Sequence, residues 1–166
     1  YCDWYIELSK QRLYSDDIEA KSTVQKVLVK VLQDVLVLLH PFMPFITEEI
    51  WNHMPSTLGR VVVADWVIFN ASQDKPEREK KMTVIMDAIK NIRNVRADMD
   101  VPPSKKARLM VLANDDVVSI IEENKSYLIA LASCSQVDIV TTTDEVPDDA
   151  VSVVTTGAEM FLPLDE

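Results

Sequence analysis

Basic side chains are the residues of this chain best suited to do chemistry. Lys90, Arg93 and Arg96 recur at every third position, and Lys105, Lys106 and Arg108 follow a proline pair. On a helix each three-residue step turns by about 300°, so the first three fan over roughly 120° of surface. Such cations can contact phosphates, which position a nucleic acid without reading its sequence. The plainer alternative is a solvated helix face with intrahelical pairs such as Asp87–Lys90. Reading bases would need them splayed and stacked on aromatic or arginine planes. Trp4, Tyr5, Tyr14, Phe42, Phe45, Trp51 and Trp66 mostly fall on predicted core faces, so no stacking platform is expected.

Other chemistry is sparse. The histidines are His40 and His53, too few for the convergent clusters that metal or catalytic sites use. His40 precedes a proline, where it can cap a helix end. Glu48 and Glu49 are neighbours and point about 100° apart on a helix, which suits helix-end electrostatics better than a shared acid–base site. Cys2 and Cys134 lie far apart and read as two reduced thiols. Only Gly59 and Gly157 occur, which excludes the glycine-rich phosphate loops and dinucleotide fingerprints. No catalytic and no metal-binding residue is assigned.

Averaged over 166 residues, the net charge of −10 argues against a nucleic-acid partner. Its distribution argues otherwise. Residues 1–110 hold 16 Lys+Arg against 15 Asp+Glu, whereas residues 111–166 hold 1 against 12. A nucleic-acid surface therefore belongs to the first 110 residues. No run of about 18 apolar residues appears, so a soluble chain is expected.

The positioning elements follow from periodicity. Tyr1 to about Tyr14 reads as the end of a helix, with Trp4, Tyr5, Leu8 and Leu13 apolar. Asp16 and Glu19 have the spacing of an N-cap and its partner. A helix from Asp17 to Leu39 carries Val24, Val27, Leu28, Val31, Leu32, Val35, Leu36 and Leu39 on one wide stripe, which the visible helices do not cover completely. Pro41 stops it, and Pro44 can start the next helix. There Phe42, Phe45, Ile46 and Ile50 form a predicted core stripe. Glu48 and Glu49 lie early in that helix, where the dipole favours them. Val61 to Trp66 reads as extended, with Trp66 a packing anchor. Arg78 to Met99 is helical, with Met82, Ile85, Met86, Ile89, Ile92 and Val95 inward, and Val101-Pro102-Pro103 ends it. The period then changes. Ala107–Ala113 is a strand, Asn114 caps a helix, and a second short helix falls near Tyr127–Ala132. Gln136–Thr142 is a strand, and Val151–Thr155 with Ala158–Leu162 make a hairpin around Thr156-Gly157. The fold class is mainly α with a C-terminal α+β unit, divided at residues 1–100 and 101–166.

One stretch also carries a family likeness. His40-Pro41-Phe42-Met43-Pro44-Phe45-Ile46-Thr47-Glu48-Glu49-Ile50-Trp51 resembles the signature of the helical anticodon-binding domain in the valine/isoleucine/leucine group of class I aminoacyl-tRNA synthetases. Asp3-Trp4-Tyr5-Ile6-Glu7-Leu8-Ser9-Lys10 is similar to the same group. Ile92-Arg93-Asn94-Val95-Arg96-Ala97-Asp98-Met99-Asp100-Val101-Pro102-Pro103-Ser104-Lys105-Lys106 resembles its valine branch, which disfavours the isoleucine one. The likeness thins after about Val111, and Glu159 to Leu164 resembles the segment leading into a C-terminal coiled coil, which is absent.

The resemblance implies a tRNA-binding fragment of a cytoplasmic synthetase that joins valine to its tRNA, with Lys90, Arg93, Arg96, Lys105 and Lys106 as candidate RNA contacts. Both catalytic signatures of the class, "HIGH" and "KMSKS", are missing, so ATP and Mg would serve the parent and no cofactor is expected here. Implied partners are tRNA, the parent's catalytic domain and its upstream helices, with no membrane and a monomeric state. A free-standing acidic protein-interaction module is the competing class.

Overall fold

The computed structural model describes residues 2–57, 59–102, 104–147 and 149–163. Tyr1, Pro103 and Leu164, which figure in the expectations above, lie outside them, as does the side chain of Cys2. Two compact units divide the chain, Tyr1–Gln73 and Asp74–Glu166. The change of period near residue 100 falls inside the second unit. The long helix from Pro76 packs on the sheet that follows it and belongs to the second unit.

The first unit opens with a π turn, Cys2–Ile6, that runs into α1, Glu7–Leu13. Helix α2 spans Ile18–Leu39. Its N-cap is Asp17, not Asp16: the Asp17 carboxylate accepts the N–H groups of Glu19 and Ala20, both at 3.0 Å. Proline chemistry ends it as expected, with His40 at the C-cap. The N–H groups of Phe42 and Met43 both return to the Leu39 carbonyl, so the corner is a hydrogen-bonded turn. Helix α3, Pro44–His53, starts with proline at its first position.

The expected core stripe of α3 faces the other way. Phe42 is 82% exposed, Phe45 91%, Ile46 48% and Ile50 38%. Thr47 and Trp51 are the buried members, and Trp51 joins Leu36, Val37 and Val61 in an apolar cluster of this unit. The polar groups of the buried face are satisfied. The Thr47 hydroxyl donates to the Met43 carbonyl at 2.8 Å, so it accepts from His40 Nδ1 at the same distance. Trp51 Nε1 donates to the Gly59 carbonyl at 3.2 Å. Each bond draws its face toward α2 and the connector. The outer stripe of α2 is incompletely covered, as expected: Val27, Val35, Leu38 and Leu39 are exposed.

Three smaller expectations also change. Glu48 and Glu49 lie beyond the first turn of α3; Glu48 instead accepts the Val61 N–H at 3.2 Å, tying the connector to the helix. Val61–Val63 is a short 3-10 turn and not extended. Trp66 is 59% exposed, and Trp51 serves as the anchor in its place.

The second unit is better enclosed. Helix α4, Pro76–Asp98, buries Ile85, Ala88, Ile89 and Ile92 completely. Strand β1, Ala107–Ala113, leads into α5, Asp115–Glu123, and α6, Lys125–Leu131. Asn114 caps α5 by accepting the Val117 N–H at 3.0 Å, as its position predicts. Strand β2, Cys134–Ile139, then pairs parallel with β1. The hairpin β3, Val151–Thr155, and β4, Ala158–Leu162, falls where the sequence puts it, turning at Gly157 with φ +81°. The sheet order is β2-β1-β4-β3, with β4 antiparallel to both neighbours.

Alternation along β1 and β4 splits the apolar side chains between two faces. Leu109, Val111, Met160 and Leu162 are fully buried. Met110 and Phe161, paired across the strands, point oppositely and join Val140 in a cluster closed by Leu112, Val146 and Ala150. Helix α4 packs against β3, α5 and α6, and α6 packs against β2.

Candidate nucleic-acid interface

The basic candidates all lie in the second unit, on the C-terminal half of α4 and the turn after it. The helix treats its three cations differently because each step rotates about 60° backwards around the axis. Lys90 is exposed, with no ion pair among the described residues; the expected Asp87–Lys90 pair does not form. Arg93 is also exposed, but its Nε donates to the Leu131 carbonyl at 2.7 Å. Leu131 ends α6, where carbonyls lack helical partners, so Arg93 caps that helix.

Arg96 completes the rotation and turns inward. It is 5% exposed, and its Nη2 donates to the carbonyls of Pro102, at 3.1 Å, and of Lys105. This corrects the expectation that Arg96 offers its charge to RNA. The signal was in the spacing: Ile85, Ile89, Ile92 and Arg96 follow one another at four, three and four residues, so Arg96 continues the buried stripe. Beside it, burial pushes the Cys134 thiol up to about 11, and the Arg96 charge offsets part of that. Cys134 is therefore a protonated, buried thiol with no nucleophilic character at neutral pH.

Helix α4 ends in a motif that aims the following turn. The Val101 N–H returns to the Arg96 carbonyl at 2.9 Å and the Asp100 N–H to the Ala97 carbonyl at 3.1 Å, with Asp100 left-handed at φ +53°. The Lys105 N–H then closes a turn onto the Pro102 carbonyl at 3.0 Å. Lys105 and Lys106 emerge from it exposed. Arg108 is engaged: it pairs with Asp138 on the neighbouring strand and holds that carboxyl below its usual range. The structure thus brings Lys105 and Lys106 together in one turn and leaves Lys90 exposed on the same unit.

Aromatics depart from expectation. Phe42, Phe45 and Trp66 are exposed, as is Tyr14 at 83%; Trp4 and Tyr5 are half-buried, and Trp51 alone of the seven is buried. All seven belong to the first unit. Among the described residues no group of three His, Cys, Asp or Glu could hold a metal ion, and no helix is long and apolar enough to cross a membrane.

Comparison with known proteins gives the family. Residues 1–111 match the family described as the anticodon-binding domain of tRNA ligase, a match that ends inside β1. The chain is 46% identical over 164 residues to a valine–tRNA ligase of Clostridium tetani, covering 99% of this chain and 18% of the relative. It is 44% identical over 164 residues to the enzyme of that name from Clostridium perfringens and 40% over 166 residues to that of Oceanobacillus iheyensis, with 99% of this chain and 19% of each relative covered. The chain thus spans about a fifth of the length of the curated relatives it matches. With two thirds of its length matched and the corner and helix order in place, the chain belongs to the family of tRNA-ligase anticodon-binding domains.

Proposed function

We propose that this chain is the tRNA-binding segment of a longer valine–tRNA ligase. The observation that carries the reading is identity of 40–46% to valine–tRNA ligases along 99% of the chain, the α+β unit included. The valine name of these relatives favours this reading over the isoleucine alternative and over a free-standing interaction module. The parent would join valine to its tRNA in the cytoplasm, as a monomer, with ATP and Mg bound by other parts of the protein. Its further helices and catalytic domain would cover the exposed apolar faces of α2 and α3, since such continuous patches mark contact surfaces.

Within this segment the RNA contacts assigned are Lys90, Lys105 and Lys106, with Arg93 secondary because its Nε is taken by the Leu131 carbonyl. These are backbone contacts. They add affinity that weakens with salt, and they carry no sequence information. A mobility-shift titration with valine-accepting and noncognate tRNA tests this. Replacing Lys90, Lys105 and Lys106 by alanine should weaken both tRNAs alike and flatten the log–log salt dependence by roughly 0.7 per lost contact. An unchanged slope removes these residues from the site; a changed preference between the tRNAs would show base reading instead.

A further inference from the structure

One side chain holds the basic turn from beneath. Arg96 Nη2 gathers the carbonyls of Pro102 and Lys105, the two residues whose own hydrogen bond closes the turn. Arg96 is 5% exposed, and its Nη1 is buried and meets no acceptor among the described residues. A buried cation with an unmet donor costs free energy that an apolar side chain of similar length would avoid. What an arginine adds is a planar group able to grip two carbonyls at once. Its backbone is anchored on the same stripe as Ile85, Ile89 and Ile92, the fully buried isoleucines of α4. The core therefore fixes Arg96, and Arg96 fixes a turn whose Lys105 and Lys106 reach solvent.

Building on the tRNA-binding reading, we propose that Arg96 is a positioning residue for RNA: bonded to the carbonyls of Pro102 and Lys105, it holds the turn so that Lys105 and Lys106 meet the phosphate backbone together. Arg96 touches no phosphate itself. Its effect on binding passes through the two lysines, and that dependence separates positioning from general support of the fold.

The test is a double-mutant cycle in the intact chain, with valine-accepting tRNA as probe at 50 mM salt, joined to amide exchange at Lys105. Arg96→Met should speed exchange of the Lys105 amide while the amides of β4 keep their protection. It should weaken tRNA binding on the order of tenfold, about the effect of one lost phosphate contact at that salt. Arg96→Lys, which keeps the charge and is the milder change to the fold, should fall between. In a chain already carrying Lys105→Ala and Lys106→Ala, Arg96→Met should cause no further loss. An unmoved Lys105 exchange rate overturns the proposal, and so does an equal binding loss in both backgrounds. Wild-type chain that binds no tRNA overturns the functional reading itself and this role with it. Normal wild-type binding with no coupling in the cycle overturns only the role of Arg96.

Discussion

The two units spend their apolar residues in opposite ways. Among the described residues, six apolar side chains are buried and sixteen large ones exposed in Tyr1–Gln73, against twenty buried and three large ones exposed in Asp74–Glu166. The second unit closes its core with its own sheet and helices. The first unit folds α2 against α3 around Trp51 and leaves Phe42, Phe45, Ile46 and Ile50 in solvent. An apolar stripe thus states what a surface is made of and not what covers it. The exposed face of the first unit has the composition of a contact surface, while the second exposes the candidate contacts Lys90, Lys105 and Lys106.

The largest expected effect sets one unit against the other. Ile92→Ala removes a fully buried side chain from α4 and should cost about 2–5 kcal/mol. Phe45→Ala removes a larger side chain that is 91% exposed and should change stability by about 0.5 kcal/mol or less. All three tryptophans, Trp4, Trp51 and Trp66, lie in the first unit, so tryptophan fluorescence follows that unit alone, while amide exchange in β4 follows the other. A loss from Phe45→Ala as large as that from Ile92→Ala would mean that the stripe of α3 is covered after all, and the contrast would collapse.

A smaller effect should come from the corner. Thr47→Val keeps the volume but leaves His40 Nδ1–H without its acceptor, at a cost of about 1–3 kcal/mol. The tryptophan midpoint should fall while β4 exchange stays unchanged. A shift in both would show the units to be energetically coupled.

The smallest concerns pH. Arg108, and Gln136 beside it, hold the Asp138 carboxyl below its usual range. A carboxyl whose folded pKa is depressed adds stability above its unfolded value, and that stability is lost as pH falls through the folded one. The pair is partly exposed, so its worth is about 1 kcal/mol or less. Urea melts of the second unit should weaken below the normal carboxylate range, and Asp138→Asn should flatten that part of the profile. An unchanged profile would assign the acid sensitivity to other carboxyls.

Much of the fold was legible in the residues themselves, for local reasons. Pro41 and Pro44 fix a corner through missing N–H groups and a restricted preceding residue. Asn114 caps α5, Gly157 permits a left-handed turn, and β-branched alternation marks the hairpin. Charge counts placed 16 of the 17 Lys+Arg in the first 110 residues, and the corner motif carried the family. The misreadings shared a different origin. Asp16 and Asp17 are adjacent carboxylates, and only the geometry of the turn chose Asp17. The core stripe of α3 followed periodicity alone, whereas packing buried Thr47 and Trp51.

The sequence by itself determined where the helices and strands run, where the proline corner lies and to which family the chain belongs, because these rest on dihedral restrictions and contiguous residue identity. Tertiary structure decided which face of α3 is buried: that of Thr47 and Trp51, whose hydrogen bonds reach the corner and the connector. It also decided the fate of three cations that look alike in sequence. A rotation of about 60° per step carries Lys90 to solvent, Arg93 to a helix end and Arg96 into the core. There, two backbone carbonyls 6 and 9 residues downstream supply the partners that no local reading could assign.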